Sequence, residues 1–510
     1  MDLDAVLPAV SARKQELDDM SGMKLGHNSD RRSPSALSTR DRRNFSLLCL
    51  LYLLQGIPVG LAFGSVPFLL KSSLSYGQVG VFSLASYPYS LKLLWSPVID
   101  ALYTNRLGRR KSWIIPIQTL SAILLLWLGR NVGRLMADAE YYLYTITTCF
   151  FLLVLLCATQ DIAVDGWALT LLSADNLSYA STAQTVGLNT GYFLSFTVFL
   201  AFYSPELSNK YLRSTPKDVG LISFGGYLTF WGWSYLLVTL ALFLFQKEPP
   251  TRKAQGLLSV YRSMGRILRL RHVQTFILVH LVAKVGFQAN EAVTNLKLLE
   301  KGFSKEDLAL TVLIDFPFEI FFGYIAAKWS AGGRPLRLWM LAFMGRLFSA
   351  FLAQLTVWAF PKSGHVGKAY FTVVICQHVF GSFMSTIQFV SINAFHTQIS
   401  DPSIGGTYMT LLNTLSNLGG TWPRLFVMDG VDRFTRATCH IPTSSKSLPC
   451  GTEAGKAACM ELDGTCHVAV DGYDVMNILC ITLGAFLFIG VIRPAALRLQ
   501  SLPIRAWRAE

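Results

Sequence analysis

Twelve apolar stretches, each about as long as a helix needs to cross a bilayer, constrain this chain more than any other feature. They lie near 45–70, 78–102, 112–130, 141–172, 177–203, 220–246, 272–298, 307–330, 336–360, 368–396, 404–428 and 472–492. A hydrocarbon core of about 30 Å is crossed by roughly 20 helical residues. Charged residues make up 15% of the chain, against ~25% in soluble domains. Several runs hold Gly, Pro or charge, which suits helices packed around a path better than helices bathed in lipid. The expected fold is an all-α polytopic membrane protein. The chain opens on a polar stretch with no cleavable signal, so the run near 45–70 would insert first.

Charge inside these runs points to function. Gln160, Asp161 and Asp165 follow directly on the apolar run from Leu143 to Cys157, and the two acids share a helix face. An ionisable group in hydrocarbon costs at least roughly 2.5 kcal/mol, so these must face a protein interior or a wet cavity. Acids lining an internal path read as a transporter. Glu291, Asp315 and Glu319 are further acids within spans, and Lys92, Lys284, Arg346 and Arg424 are the bases. Gln160, Asp161, Asp165 and Glu291 are gating or coupling candidates. They act as a salt-bridge switch, as structural pairs, or as proton carriers, and proton carriage needs an acid with no permanent partner. His280, four residues before Lys284, reads as a helix-contact histidine.

The net charge of +14 invites a nucleic-acid reading. The basic residues instead gather in short loops such as 106–111 and 247–271, all on one side if the N-terminus is cytosolic. That is the positive-inside pattern, and it removes nucleic acid as a partner. The expected organisation is a disordered cytosolic tail 1–44, a six-span half 45–246, a basic linker 247–271, a second half 272–495 and a cytosolic tail 496–510. From Leu257 the linker reads as an amphipathic helix on the membrane surface. Cys439, Cys450, Cys459 and Cys466 sit in one long hydrophilic loop, 431–471, on the opposite side. Two disulfides are favoured there, with three pairings open; a zinc site lacks the tight Cys-x2-Cys spacing, and no metal is expected. The sequons at Asn44 and Asn176 fall on the cytosolic side.

Two halves should repeat weakly. A shift of 228 residues sets Gln160 on Gln388, Asp165 on Asn393, Trp167 on Phe395, Asn189 on Asn417 and Gly191 on Gly419.

The turn Arg106-Leu-Gly-Arg-Arg-Lys111, with Asp100 upstream, resembles the basic loop of the major facilitator superfamily. There Arg109 and Arg110 would pair with acids at span ends and latch one conformation. Longer stretches resemble the acetyl-coenzyme A transporter family of the endoplasmic reticulum. They are Leu54-Gln-Gly-Ile-Pro58, Ser90-Leu-Lys-Leu-Leu-Trp95, Gly108-Arg-Arg-Lys-Ser-Trp113, Ala158-Thr-Gln-Asp-Ile-Ala-Val-Asp-Gly-Trp-Ala-Leu-Thr170 and Gly405-Gly-Thr-Tyr-Met-Thr-Leu-Leu-Asn-Thr-Leu-Ser-Asn-Leu-Gly-Gly420. The resemblance implies the major facilitator fold, with two pseudo-symmetric six-helix bundles. It also implies import of acetyl-CoA from cytosol to lumen for acetylation of proteins and gangliosides. Acetyl-CoA is then the substrate and no cofactor is needed; CoA is a candidate exchange substrate, and a homodimer is a candidate assembly.

Such a cargo needs cations for its phosphates, an aromatic plate for adenine and polar groups for the pantetheine arm. Lys92, Lys284, Arg346 and Arg424 are the candidate cations. Trp95, Trp167, Trp422 and Tyr408 are candidate plates, and Asn413 and Asn417 face the arm. The rival readings are a carrier of another anionic or amphiphilic solute, as in the distantly similar muropeptide permeases, and a membrane acyltransferase built on His280 or His378.

Overall fold

The computed structural model describes residues 38–507 apart from 105, 174–178, 206–207, 210–212, 249–256, 331–333, 362–365, 400–404, 442–443 and 452. Twelve helical spans build two bundles of six. The first half holds Thr39–Lys71, 76–101, Lys111–Ala137, Leu143–Leu171, 179–203 and Phe224–Phe245. The second holds Arg271–Glu300, Lys305–Ser330, Pro335–Trp358, Lys368–Ile399, Gly405–Phe434 and Gly472–Ser501. Among the described residues nine of these are long and apolar enough by themselves to cross a membrane. The second span falls short because it is broken into short pieces, and the eleventh because Asn413, Ser416, Asn417 and Arg424 interrupt its apolar run.

The second span corrects one expectation. In place of a single helix over 78–102, short α pieces alternate with 3-10 turns at Ser83–Ser86 and Lys92–Leu94. Pro88 and Pro97 remove backbone donors, and the Ser83 and Ser86 hydroxyls bond back to the carbonyls of Gly80 and Ser83. The first span also begins earlier than expected. Ser38 caps it by accepting from the Asp41 N–H at 3.1 Å. Residues 39–44 are therefore helix, and Asn44 is buried and donates to the Leu171 carbonyl at 2.7 Å. That burial closes the first sequon; Asn176 lies outside the described residues.

The repeat has a packing cause. A Cβ on Gly191 in the fifth span would come within 2.2 Å of the Leu53 carbonyl in the first. A Cβ on Gly419 in the eleventh would come within 2.0 Å of the His280 carbonyl in the seventh. The same small residue thus lets equivalent helices touch backbone to backbone in each half. Trp167 and Phe395, also paired by the shift, are both buried in the cores of their halves.

The linker helix Leu257–Leu268 buries Met264 and Ile267 and leaves Arg262 and Arg266 exposed, as an amphipathic helix should. Its Tyr261 hydroxyl donates to the Leu94 carbonyl at 2.6 Å, which fastens it to the end of the second span.

Between the last two spans the cysteine loop folds into a module of its own. Strand β1 (Arg436–Ile441) lies antiparallel between β2 (Ser444–Pro449) and β3 (Thr465–Val470), with a helix at Glu453–Glu461. Cys439 pairs with Cys459 and Cys450 with Cys466, which picks one of the three pairings and uses up every candidate zinc thiolate. The buried core of the module is little more than Ala437 and three of those cysteines. A core so small needs staples. Cys439→Ala is therefore expected to remove about 2–4 kcal/mol of local stability. Limited proteolysis should then cut within 435–471 many times faster, with the spans intact; an unchanged rate would contradict this.

Candidate functional site

Two adjoining cavities open among the spans of the second half. One, of about 290 Å3, is lined by Phe287, Glu291, Asp315, Glu319, Arg346 and His378 among others. The other, of about 350 Å3, is lined by His280, Lys284, Trp339, Gln388 and Ser416, and Arg346 and Glu291 border both. Arg346 is thus the hinge of the site. It pairs with Glu291, donates to Gln388, and sits 3.7 Å from the centre of the Phe287 ring, a cation–π contact.

Lys284 stands where the seventh span breaks, between the helix Arg271–Ala283 and the 3-10 turn Val285–Phe287. Its alkyl chain lies over Gly420, where a Cβ would come within 2.8 Å of Cδ. No acid pairs with it among the described residues. Beside it, His280 Nε2 meets His396 Nε2 at 3.0 Å, and His396 Nδ1 meets Asn413 Oδ1 at 2.9 Å.

The expected residues therefore divide. Lys284 and Arg346 line cavities. Asn413 is engaged by His396, and Asn417 is half-buried on the same helix. The Trp422 indole N–H donates to the Leu281 carbonyl at 2.9 Å, which ties the eleventh span to the seventh. Trp167 is fully buried in the first-half core, with no face open to a base. The side chain of Tyr408 lies outside the described residues.

In the first half the charges satisfy one another. Lys92 pairs with Asp161, and Trp95 donates to Thr159 at 3.1 Å, so both side chains brace the second span against the fourth. Asp165 accepts from Tyr52 at 2.7 Å and from Gln184 at 3.1 Å, and Gln160 donates to the Leu51 carbonyl at 3.3 Å. Lys92 lines neither of the two cavities.

At the linker face the basic turn packs tightly. Arg110 lays its guanidinium on Gly166, where a Cβ would come within 2.2 Å, and Arg109 is half-buried beside it. Glu248, at the end of the sixth span, accepts from the Arg110 and Lys111 backbone N–H groups at 3.0 Å each. That places a carboxylate at the start of the third helix, where the helix dipole favours it. Gly108 turns the chain there with φ of 96°, and a side chain would strike Glu248.

At the opposite face the two halves are stitched together. Asp432 of the eleventh span accepts from the Tyr76 N–H at 3.0 Å and the Gly77 N–H at 2.5 Å. The Tyr76 hydroxyl donates to Glu300 at 2.7 Å, and Glu300 also pairs with Lys297 and, at 2.6 Å, with Lys456 of the disulfide module. Lys297 reaches Asp471 at 2.8 Å. None of these closing residues stood out in the sequence, because acids and lysines at span ends look like ordinary interfacial charge.

A family model described as acetyl-coenzyme A transporter 1 matches residues 44–257, 250–338 and 333–509. An uncharacterized membrane protein of Saccharomyces cerevisiae is 45% identical over 94% of this chain and 99% of its own. An uncharacterized protein of Schizosaccharomyces pombe is 42% identical over 92% of this chain and 90% of its own. A Rickettsia conorii protein named as a candidate transporter, AmpG 4, is 22% identical over 74% of this chain and 87% of its own. Among solved structures the nucleoside transporter NupG superposes with a TM-score of 0.60 at 10% identity, over 88% of this chain and all but 1% of that one (99% covered). A bacterial homologue of the lysosomal transporter Spinster, inward-facing and occupied, gives 0.57 at 12% identity over 92% and 99%. These two share the major facilitator fold with the present chain.

Proposed function

The chain belongs to the family described as acetyl-coenzyme A transporter 1, and from that premise we propose that it carries acetyl-CoA across a membrane by alternating access. It is a multi-pass membrane transporter. The observation that carries the finer reading is Lys284, a cation without an acid partner among the described residues, beside Arg346 in the second-half cavities. A polyanionic cargo supplies the anion that Lys284 lacks, with the Lys ammonium on one phosphate and the Arg346 fork, exchanged from Glu291, on another. Asn417 and Ser416 then border the path of the pantetheine arm. Closure would alternate between the Asp432–Tyr76–Glu300 stitch on one face and the Arg110–Gly166 contact on the other.

A cytosolic face for the basic linker is supported by the positive-inside pattern. The two disulfides support an oxidising compartment for the opposite face, in keeping with import into the lumen of the endoplasmic reticulum. Exchange against CoA and assembly as a homodimer belong to the same proposal.

Uptake of doubly labelled acetyl-CoA, in acetyl group and adenine, into sealed proteoliposomes tests it. Intact cargo should appear inside, and Lys284→Ala should lower uptake by roughly 10- to 100-fold, the worth of one hydrogen bond to a charged group. Cleaved label would indicate an acyltransferase instead. Uptake outcompeted by a muropeptide and not by CoA would favour the permease-like reading, which the similarity to the AmpG 4 protein supports.

A further inference from the structure

Most acids inside the spans meet a fixed partner. Asp161 has Lys92, Glu291 has Arg346, and Asp165 has the Tyr52 hydroxyl and the Gln184 amide. Asp315 and Glu319, one turn apart on the eighth span, form no ion pair with a lysine or arginine among the described residues. Asp315 is only 8% exposed and lines the 290 Å3 cavity. Its Oδ2 lies 3.5 Å from His378 Nε2 on the tenth span, while its Oδ1 has no hydrogen-bond partner among the described residues. Glu319 and His378 line the same cavity.

The groups that face this cluster come from four further spans. Glu291 projects from the seventh and Arg346 from the ninth, already joined to each other. Tyr192 of the fifth lies within electrostatic reach of Glu319 and of Arg424 from the eleventh.

We propose that Asp315, Glu319 and His378 are the proton site of this carrier, and that a proton crosses with each anionic cargo molecule. The second clause rests on the acetyl-CoA reading above; the first does not. Two carboxylates a turn apart on the wall of one cavity repel, and one shared proton relieves the repulsion. An anion at Arg346 and Lys284 adds negative charge to the same cavity. Proton and anion therefore favour each other's binding, and by reciprocity the preference is mutual. Both load together and both leave together, which is symport. His378 supplies a third acceptor, through which the proton passes between Asp315 and cavity water. Pro317, between the two acids, leaves the Leu313 carbonyl without its helical donor and gives the helix a bending point there.

The test has two arms. Infrared titration of the full-length protein in lipid, without cargo, should show a protonated-carboxyl band that falls as pH rises. Asp315→Asn combined with Glu319→Gln should remove it, and His378→Gln alone should move its midpoint. A band identical in wild type and both variants would overturn the site. In voltage-clamped proteoliposomes a tenfold proton gradient should raise acetyl-CoA accumulation up to about tenfold. The double variant should accumulate none against a gradient, whatever the size of the proton gradient. Wild-type accumulation indifferent to the proton gradient would overturn symport. A titrating band with no movement of acetyl-CoA in wild type would support the proton site and overturn the cargo reading alone.

Discussion

Lys92→Ala is expected to destabilise the protein by about 3–5 kcal/mol, the usual consequence of leaving a buried charge alone. Asp161, its partner, is 1% exposed, and the other oxygen of that carboxylate has no hydrogen-bond partner among the described residues. The neighbouring Tyr89 hydroxyl is a neutral donor and does not replace the lost cation. Removing both charges together, as Lys92→Met with Asp161→Leu, should recover most of the loss, because an apolar pair of similar volume replaces a buried ion pair at little cost. Size-exclusion of the detergent-solubilised protein after a heating series measures this as the temperature at which half the monodisperse peak is lost. A single variant as stable as wild type would show that the pair does not hold the second span to the fourth.

Arg346→Ala should behave in the opposite way. Glu291, the acid it leaves behind, is 37% exposed in its side chain and can be hydrated, so the fold tolerates the change. Cargo binding should not. Loss of one side of a desolvated charge contact is worth about 2–5 kcal/mol, or from about thirtyfold to several thousandfold in Kd. Arg346→Lys keeps the charge and loses the fork, so it should recover part of the affinity. Scintillation-proximity binding of labelled acetyl-CoA to purified protein reads both variants. Equal Kd values for wild type and Arg346→Ala would remove Arg346 from the site. The contrast is the sharper result: one cation should matter to stability and the other to binding.

That contrast was not legible in the sequence. Lys92, Lys284 and Arg346 look alike as isolated bases in apolar runs, and their fates depend on which helices lie beside them. Asp161 is 69 residues from Lys92 and His396 is 116 from His280, so neither partnership leaves a local trace. The twelve spans were legible because a long apolar run fixes a membrane helix almost without reference to its neighbours. The repeat was legible because it is carried by Gly191 and Gly419, which occupy the same kind of contact in each half. The broken second span was not. Pro88 and Pro97 were in plain view, but membrane helices often absorb a proline, and residue type alone does not say where one does not. The amphipathic linker helix could be read because its periodicity is local. The stitch through Asp432, Tyr76 and Glu300 joins residues 224 and 356 apart, and only the folded chain brings them together.

Lys456 lies outside the spans yet grips Glu300, the same carboxylate that holds Tyr76 of the opposite half. The stapled module is therefore a handle on the door as well as a cap beside it. If the proposed alternating access holds, an antibody fragment fitted to its outer strands should arrest the cycle from the aqueous side, without competing for the cargo chamber.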